Sequence, residues 1–370
     1  MPIEHEIESD VREVLKALAK RKNVIIAGPP GTGKSRVLNR VRELFEWKNG
    51  STGSAPTAAI PLPSAPSGIP AWFPSPDQDF SRKVFQTVFD QNTKYRDFMR
   101  GLVPEVGKAG VFTVTQGTLF RAAMHATSDG NAALVIIDEI NRGPAVAAFG
   151  SALVGLEPDK RLASDGTRTS TTQEFELLGD NGEHVKFALP NDLYILAAMN
   201  EADTSVEPLD VAFLRRFAPY RLEPQVSVLR KHLRLPEHPA LLPTIAKTEQ
   251  DVYEALAQTW VKINHQILMG RGQAYQLGHG ALMHSTAPAT GIGAAQEYVA
   301  EMWATLRGHI DEVFFGNTRA LADLLRAEDN NSPYALEETT FAGQAVRRIV
   351  GPNRPTAEDL YRLLAIIAKE

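Results

Sequence analysis

Three segments of the chain are apolar from end to end: Val24-Ile25-Ile26-Ala27, Leu134-Val135-Ile136-Ile137 and Leu193 to Met199. A strand with no polar side is covered on both faces, the pattern of a parallel sheet inside an α/β domain. Other apolar positions recur at helical spacing. Ile3, Ile7, Val11, Val14, Leu15 and Leu18 mark an amphipathic helix ahead of the first strand, and Val37, Leu38, Val41, Leu44 and Phe45 mark one face of a helix from Lys34 to Trp47. Val84 to Phe89 reads as a further strand and Tyr95 to Leu102 as a short helix. Val111 to Leu119 alternates around Gly117, which predicts a small hairpin before a helix from Leu119 to Ala126. The pattern then predicts a helix from Pro144 to Glu157, a hairpin within Lys160 to Leu189 at the turns Asp165-Gly166 and Asp180-Asn181-Gly182, and an apolar helix from Leu209 to Phe217.

From about Pro224 the pattern changes to helices alone, and no strand is predicted. Val252 to Ile267 and Tyr298 to Phe315 have helical spacing, with a break at Ala287 to Gly293, and Thr356 caps a last helix from Ala357 to Ala368. The expected architecture is an α/β domain with a central, mostly parallel sheet over residues 1–222, followed by a helical lid over 223–370. Gly50 to Pro76, dense in Gly, Ser, Ala and Pro, is expected to be a mobile insertion in which Trp72 and Phe73 form a local cluster. It is not a domain boundary, because a lone βα unit before it cannot form a sheet.

Composition narrows the setting. A chain of 370 residues exceeds what one core usually serves, and 43% hydrophobic with 22% charged residues suits a globular protein. The absence of cysteine excludes disulfides and thiolate metal sites. No apolar run spans a membrane and the acidic N-terminus is no signal peptide, so a cytoplasmic protein without membrane contact is expected. A net charge of −5 and a pI near 6.0 argue against a globally basic nucleic-acid binder.

The chemistry starts at Gly28-Pro29-Pro30-Gly31-Thr32-Gly33-Lys34-Ser35, which fits G-x-x-x-x-G-K-[ST] between a strand and a helix. Glycines there let backbone N–H groups converge on phosphate at a helix N-terminus, Lys34 reaches the β- and γ-phosphates, and Ser35 holds Mg²⁺. The second apolar strand ends in Asp138-Glu139, which places two carboxylates at the carboxyl edge of the sheet. Asp138 is assigned to Mg²⁺ and Glu139 to the attacking water. The third strand closes on Asn200, whose amide can hold that water or simply form a turn. Arg215 and Arg216 end the apolar helix, either as salt-bridge partners or as fingers reaching a neighbour's γ-phosphate.

With these motifs the chain resembles the AAA+ NTPases, and more narrowly the McrB motor family. The likeness rests on Gly28 to Ser35, Tyr95-Arg-Asp-Phe98 with Gly101 and Pro104, Ile137 to Gly143, Phe149-Gly150, Asp159-Lys-Arg161, Met199 to Asp203 and Leu209 to Phe217. Ile263-Asn264 and Tyr275 to His279 are similar to a lid motif of the same family. MoxR-like chaperone ATPases share Asp138 to Arg142 but fit the later motifs less well, and remodelling of a protein partner is the alternative function they imply. The McrB resemblance implies a P-loop ATPase or GTPase working as a homo-oligomeric ring, a hexamer, with Mg²⁺ and ATP or GTP. It also implies a McrC-like nuclease subunit as partner, with DNA reached through that complex. His279 would be a phosphate sensor or a structural histidine at a helix start. Thr204 stands where the family carries arginine, and Gly278 to Leu282 lacks the family's aromatic residues. About twenty residues precede the first strand, so the modified-base reader is expected to be absent or to belong to another protein.

Overall fold

The computed structural model describes residues 8–46, 81–128, 130–203, 209–284, 288 and 290–369. Ile3, Ile7, the 50–76 insertion with Trp72 and Phe73, and Thr204 lie outside the described residues. The chain divides into two compact units. One runs to Leu222 without the loop Gly28–Gly33, and the other is that loop together with Glu223 onward.

In the first unit the elements are α1 (Ser9–Arg21), β1 (Asn23–Gly28), α2 (Lys34–Glu46), β2 (Arg82–Val88), α3 (Tyr95–Phe98), β3 (Arg100–Pro104), β4 (Phe112–Gln116) and α4 (Thr118–Ala126). They continue with β5 (Ala132–Asp138), α5 (Ala145–Phe149), β6 (Phe175–Leu178), β7 (His184–Phe187), β8 (Leu193–Asn200), α6 (Val211–Leu214) and β9 (Ala218–Arg221). The central sheet has the order β2-β5-β8-β1-β9, and the pairs β2–β5, β5–β8 and β1–β9 are parallel. Its apolar strands divide their side chains between two cores, as a period of two requires. Val24, Ile26, Leu134, Ile136, Leu196 and Ala198 pack with Val14, Leu18, Val37 and Val41 of α1 and α2. Ile25, Val135, Ile137, Ile195 and Ala197 pack with Phe98, Leu119, Phe149 and Phe217 on the other face.

Four expectations are corrected here. The helix at Tyr95 stops at Phe98, and Leu102 belongs to a strand: β3 pairs antiparallel with β4, Leu102 opposite Val114. The hairpin therefore turns between Pro104 and Phe112, where Gly107 and Gly110 have φ of 83° and 77°, and not at Gly117. Gly117 serves close packing, since a methyl there would overlap the backbone of Phe98 and Met99. The predicted helix from Pro144 breaks after Phe149 because Gly150 sits at φ 51° against the Tyr95 ring, and the chain continues as a 3-10 turn over Gly150–Gly155. The helix expected from Leu209 reduces to α6, started by Asp210, whose carboxylate accepts from Ala212 N–H at 2.8 Å.

The second unit contains α7 (Val226–His232), α8 (Glu249–Arg271), α9 (Ile292–Val313), α10 (Thr318–Leu324), β10 (Ala335–Phe341), β11 (Gln344–Val350) and α11 (Ala357–Lys369). Trp260, Ile263, Trp303, Leu306, Leu363 and Leu364 fill its core. Thr248 and Thr356 accept from Asp251 N–H and Asp359 N–H, capping α8 and α11. The β10–β11 hairpin corrects the all-helical expectation. Its strands hide their alternation because Glu337 faces Arg348 and Glu338 faces Arg347, charged pairs on both faces. Only Leu336 and Ile349 at its root pack on the helical core.

Candidate active site

β5 and β8 are hydrogen-bonded neighbours, so their carboxyl ends bring Asp138, Glu139 and Asn200 together. Glu139 is in the left-handed region at φ 52° and ψ 45°, sparsely populated for a residue with a side chain and concentrated at functional positions. Its N–H donates to Asp138 Oδ1 at 3.0 Å. The Asn200 amide nitrogen donates to both Glu139 oxygens, at 2.8 and 3.1 Å. Asn141 Nδ2 donates to the Asn200 carbonyl at 2.9 Å and fixes the end of β8 to the turn after β5.

Lys34 and Ser35 open α2. Burial lowers the Lys34 ammonium from its ordinary 10.5 to about 8, outweighing the attraction of Glu139, Asp138 and Glu201, which act to raise it. Ser35 and Asp138 line one cavity of about 420 Å³, together with Leu38, Asn39, Gln86, Thr87, Val88 and Ile136. One hydroxyl and one carboxylate facing a common space fit Mg²⁺, which completes its shell with water and phosphate oxygens. No cage of three or more His, Asp or Glu side chains occurs among the described residues. When bound, the ion would neutralise developing phosphate charge.

Within the second unit, the loop residues Gly31 and Gly33 have φ of 78° and 89°. Thr32 Oγ1 donates to Pro29 O at 2.9 Å, and Gly278 N–H and Gly280 N–H donate to Pro30 O and Gly31 O, each at 2.8 Å. His279 between them is 5% exposed and accepts from Gln225 N–H through Nδ1 at 3.2 Å.

The two arginines differ. Arg216 is tied down: Nε donates to Leu153 O at 3.1 Å, Nη1 donates to Ala212 O, and Glu157 is 4.0 Å away. Arg215 is exposed; its backbone N–H donates to Val211 O at 3.1 Å, and its guanidinium has no hydrogen bond or ion pair among the described residues. It borders a cavity of about 660 Å³ with Arg21, Glu157, Pro158, Asp159 and Arg216, and the Glu139–Asn200 pair does not line it.

Arg142, Glu201 and Asp203 fall inside the motifs named above without a role of their own, and Arg221 falls outside them. Arg142 lies 3.4 Å from Glu139 and 3.2 Å from Asp203, and Arg221 pairs with Glu201. Their signal was position, since all four stand within four residues of the ends of β5, β8 or β9.

Residues 78–217 match the AAA domain of the dynein-related subfamily. The chain is 28% identical over 279 residues to the type IV methyl-directed restriction enzyme EcoKMcrB subunit of Escherichia coli K12, covering 74% of this chain and 50% of that protein. The chain thus carries an AAA domain match and is similar to McrB. It is also 31% identical over 235 residues to YdiS, a component of the type II restriction enzyme BsuMI of Bacillus subtilis 168, covering 58% of this chain and 64% of YdiS. The chain thus spans about half of one curated relative and under two thirds of the other. Among solved structures, C. elegans PCH-2 superposes at a TM-score of 0.34 with 12% identity, covering 81% of this chain and 70% of that one, a likeness too low to add weight. Among the described residues, no helix is long and apolar enough to cross a membrane.

Proposed function

We propose that this chain is the nucleotide-driven motor of a McrBC-like restriction or defence system, assembled as a cytoplasmic homo-oligomeric ring, a hexamer, whose active sites are completed between subunits. Lys34 binds the phosphates, Ser35 and Asp138 hold Mg²⁺, Glu139 takes the proton of the attacking water, and Asn200 orients that water and the carboxylate. The phosphate loop leaves ATP and GTP both as candidate substrates. The relatives, named as restriction-enzyme subunits, support a nuclease partner of the McrC kind, with DNA engaged through the complex.

The observation carrying this reading is Arg215. Its guanidinium is exposed and unpaired among the described residues, while Arg216 spends its donors on Leu153 and Ala212 carbonyls. An arginine is always charged and matches phosphate oxygens geometrically. Arg215 is therefore the finger offered to a neighbour, and Arg216 sets the backbone that presents it. A finger supplied in trans is worth about 10³- to 10⁵-fold in rate.

The test mixes two inactive proteins. Arg215→Ala and Lys34→Ala, each without turnover alone, recover part of the activity together, because some mixed interfaces contain one intact Lys34 site and one intact Arg215. Subunit exchange is checked in parallel with fluorescently labelled protein. Exchange without recovery, for both ATP and GTP, refutes the trans site.

A further inference from the structure

Arg142 lies between two carboxylates and is half exposed. The single turn Ile140–Arg142 is closed by Arg142 N–H donating to Glu139 O at 2.9 Å, which brings the side chain back over the residue three positions earlier. From there Nε lies 3.4 Å from Glu139 Oε2 and Nη2 lies 3.2 Å from Asp203 Oδ2. The side chain of Arg142 is 53% exposed, against 26% for Glu139 and 18% for Asp203. An ion pair this wet adds little to folding stability. Its placement has a different consequence: the guanidinium, in ion-pair range, and Asn200 Nδ2, as a hydrogen-bond donor, both face one carboxylate, the first from the turn after β5 and the second from the last residue of β8.

Stability does not account for this arrangement, but orientation does. A carboxylate on a left-handed backbone has no helix or strand to restrict its side-chain rotation. Asn200 donates to both oxygens and the Arg142 guanidinium faces Oε2, so together they restrict the directions in which Glu139 presents a lone pair. Asp203 in turn fixes the guanidinium. We propose that Arg142, anchored by Asp203, is a positioning residue for hydrolysis: it aims the Glu139 carboxylate at the attacking water and contributes nothing to nucleotide binding. The inference rests on Glu139 being the base.

The test uses the full chain and steady-state hydrolysis of ATP and GTP, with binding followed by fluorescent mant-ATP and mant-GTP. Misaiming a reacting group by about 1 Å can cost 10²-fold, so Arg142→Ala is expected to lower kcat by about tenfold to a hundredfold. Nucleotide affinity stays within about twofold on the same argument. Arg142→Lys restores part of the rate. Asp203→Asn lowers kcat in the same direction, and combining it with Arg142→Ala costs no more than the worse single change. Glu139→Gln combined with Arg142→Ala is no slower than Glu139→Gln alone, because both act through one carboxylate. Should Arg142→Ala fail to fold, Arg142→Lys and Asp203→Asn carry the test. Full kcat in Asp203→Asn and Arg142→Ala, a matching loss of affinity, or losses that multiply with Glu139→Gln would overturn the assignment. A Glu139→Gln enzyme at full rate instead removes the base itself, which is a distinguishable result.

Discussion

Asn200 Nδ2 stands 2.8 and 3.1 Å from the two oxygens of Glu139, so the amide at the end of one strand holds the carboxylate at the end of its neighbour. Gln at position 139 keeps an oxygen for this contact and loses the ability to take a proton. Glu139→Gln is therefore expected to bind nucleotide normally and to lose about 10²- to 10⁴-fold in turnover, the usual worth of a general base. Asn200→Ala frees the carboxylate without removing it and is expected to cost less. Nucleotide binding and single-turnover hydrolysis on the same preparations separate the two effects, and a larger loss in Asn200→Ala than in Glu139→Gln would reverse the roles.

Lys34 gives the pH dependence. Burial brings its ammonium down to about 8, so the nucleotide-free subunit gives up this proton as pH rises through that value. Phosphate oxygens favour the charged form and raise the pKa again on binding. Binding at about pH 9 is then expected to take up a proton, and affinity falls above pH 8 by at most about tenfold per unit. Below about pH 7 this residue contributes no slope, because it is charged in both states. Titration calorimetry in buffers of different ionisation heat reads the proton directly. Lys34→Arg stays charged and should show no uptake; uptake that persists in that variant assigns the proton elsewhere.

In the second unit, Gly278 and Gly280 donate backbone N–H groups to the Pro30 and Gly31 carbonyls. A methyl on Gly278 would overlap Gly31 C and O, while one on Gly280 would meet Gly31 O at 2.9 Å. Forcing atoms into a packed contact costs about 1–3 kcal/mol. Gly278→Ala is expected to weaken mant-nucleotide binding by about tenfold or more, since 1.4 kcal/mol is a factor of ten. Gly280→Ala should do so less. Gly293 has nothing within 4 Å of the added carbon and serves as the control. Equal affinity across the three variants would leave the loop independent of these glycines.

The sequence was most legible where a single period sufficed. Val24–Ala27, Leu134–Ile137 and Leu193–Ala198 are buried on both faces, as strands inside a parallel sheet are. Neighbouring parallel strands bring Asp138, Glu139 and Asn200 to one edge of the sheet, and the start of α2 sets Ser35 on the same cavity as Asp138. Sequence pattern failed where a glycine has two physical uses. Gly117 looks like a turn and is a packing contact, whereas the hairpin turns at Gly107 and Gly110. Charge hid the rest. Glu337, Glu338, Arg347 and Arg348 show no strand period and are cross-strand pairs, and the charge of Arg142 alone does not mark Glu139 and Asp203 as its partners.

Arg161 is the last case, a charge with no acid within ion-pair reach among the described residues. It is 1% exposed, and burial lowers its guanidinium to about 10. Nε and Nη2 donate to Leu156 O at 3.2 and 3.0 Å, Nη2 also donates to Asn23 Oδ1 at 2.6 Å, and Nη1 donates to Leu193 O. Asn23 in turn donates to Leu156 O and to Arg216 O, so this one side chain ties the starts of β1 and β8 to the turn that carries the arginine pair. Each buried acceptor left without a donor costs about 1–3 kcal/mol. Arg161→Met keeps most of the volume and removes every donor, so it is expected to lose about 3 kcal/mol or more in urea unfolding at an unchanged slope. Arg161→Lys, with one compact head in place of a planar fork, should fall between. Because Arg216 accepts from this network, Arg161→Met should also lower turnover below what its loss of folded protein explains. A Met variant as stable and as active as the parent would mean that the carbonyls find other donors, and that the buried guanidinium holds neither the sheet nor the arginine turn in place.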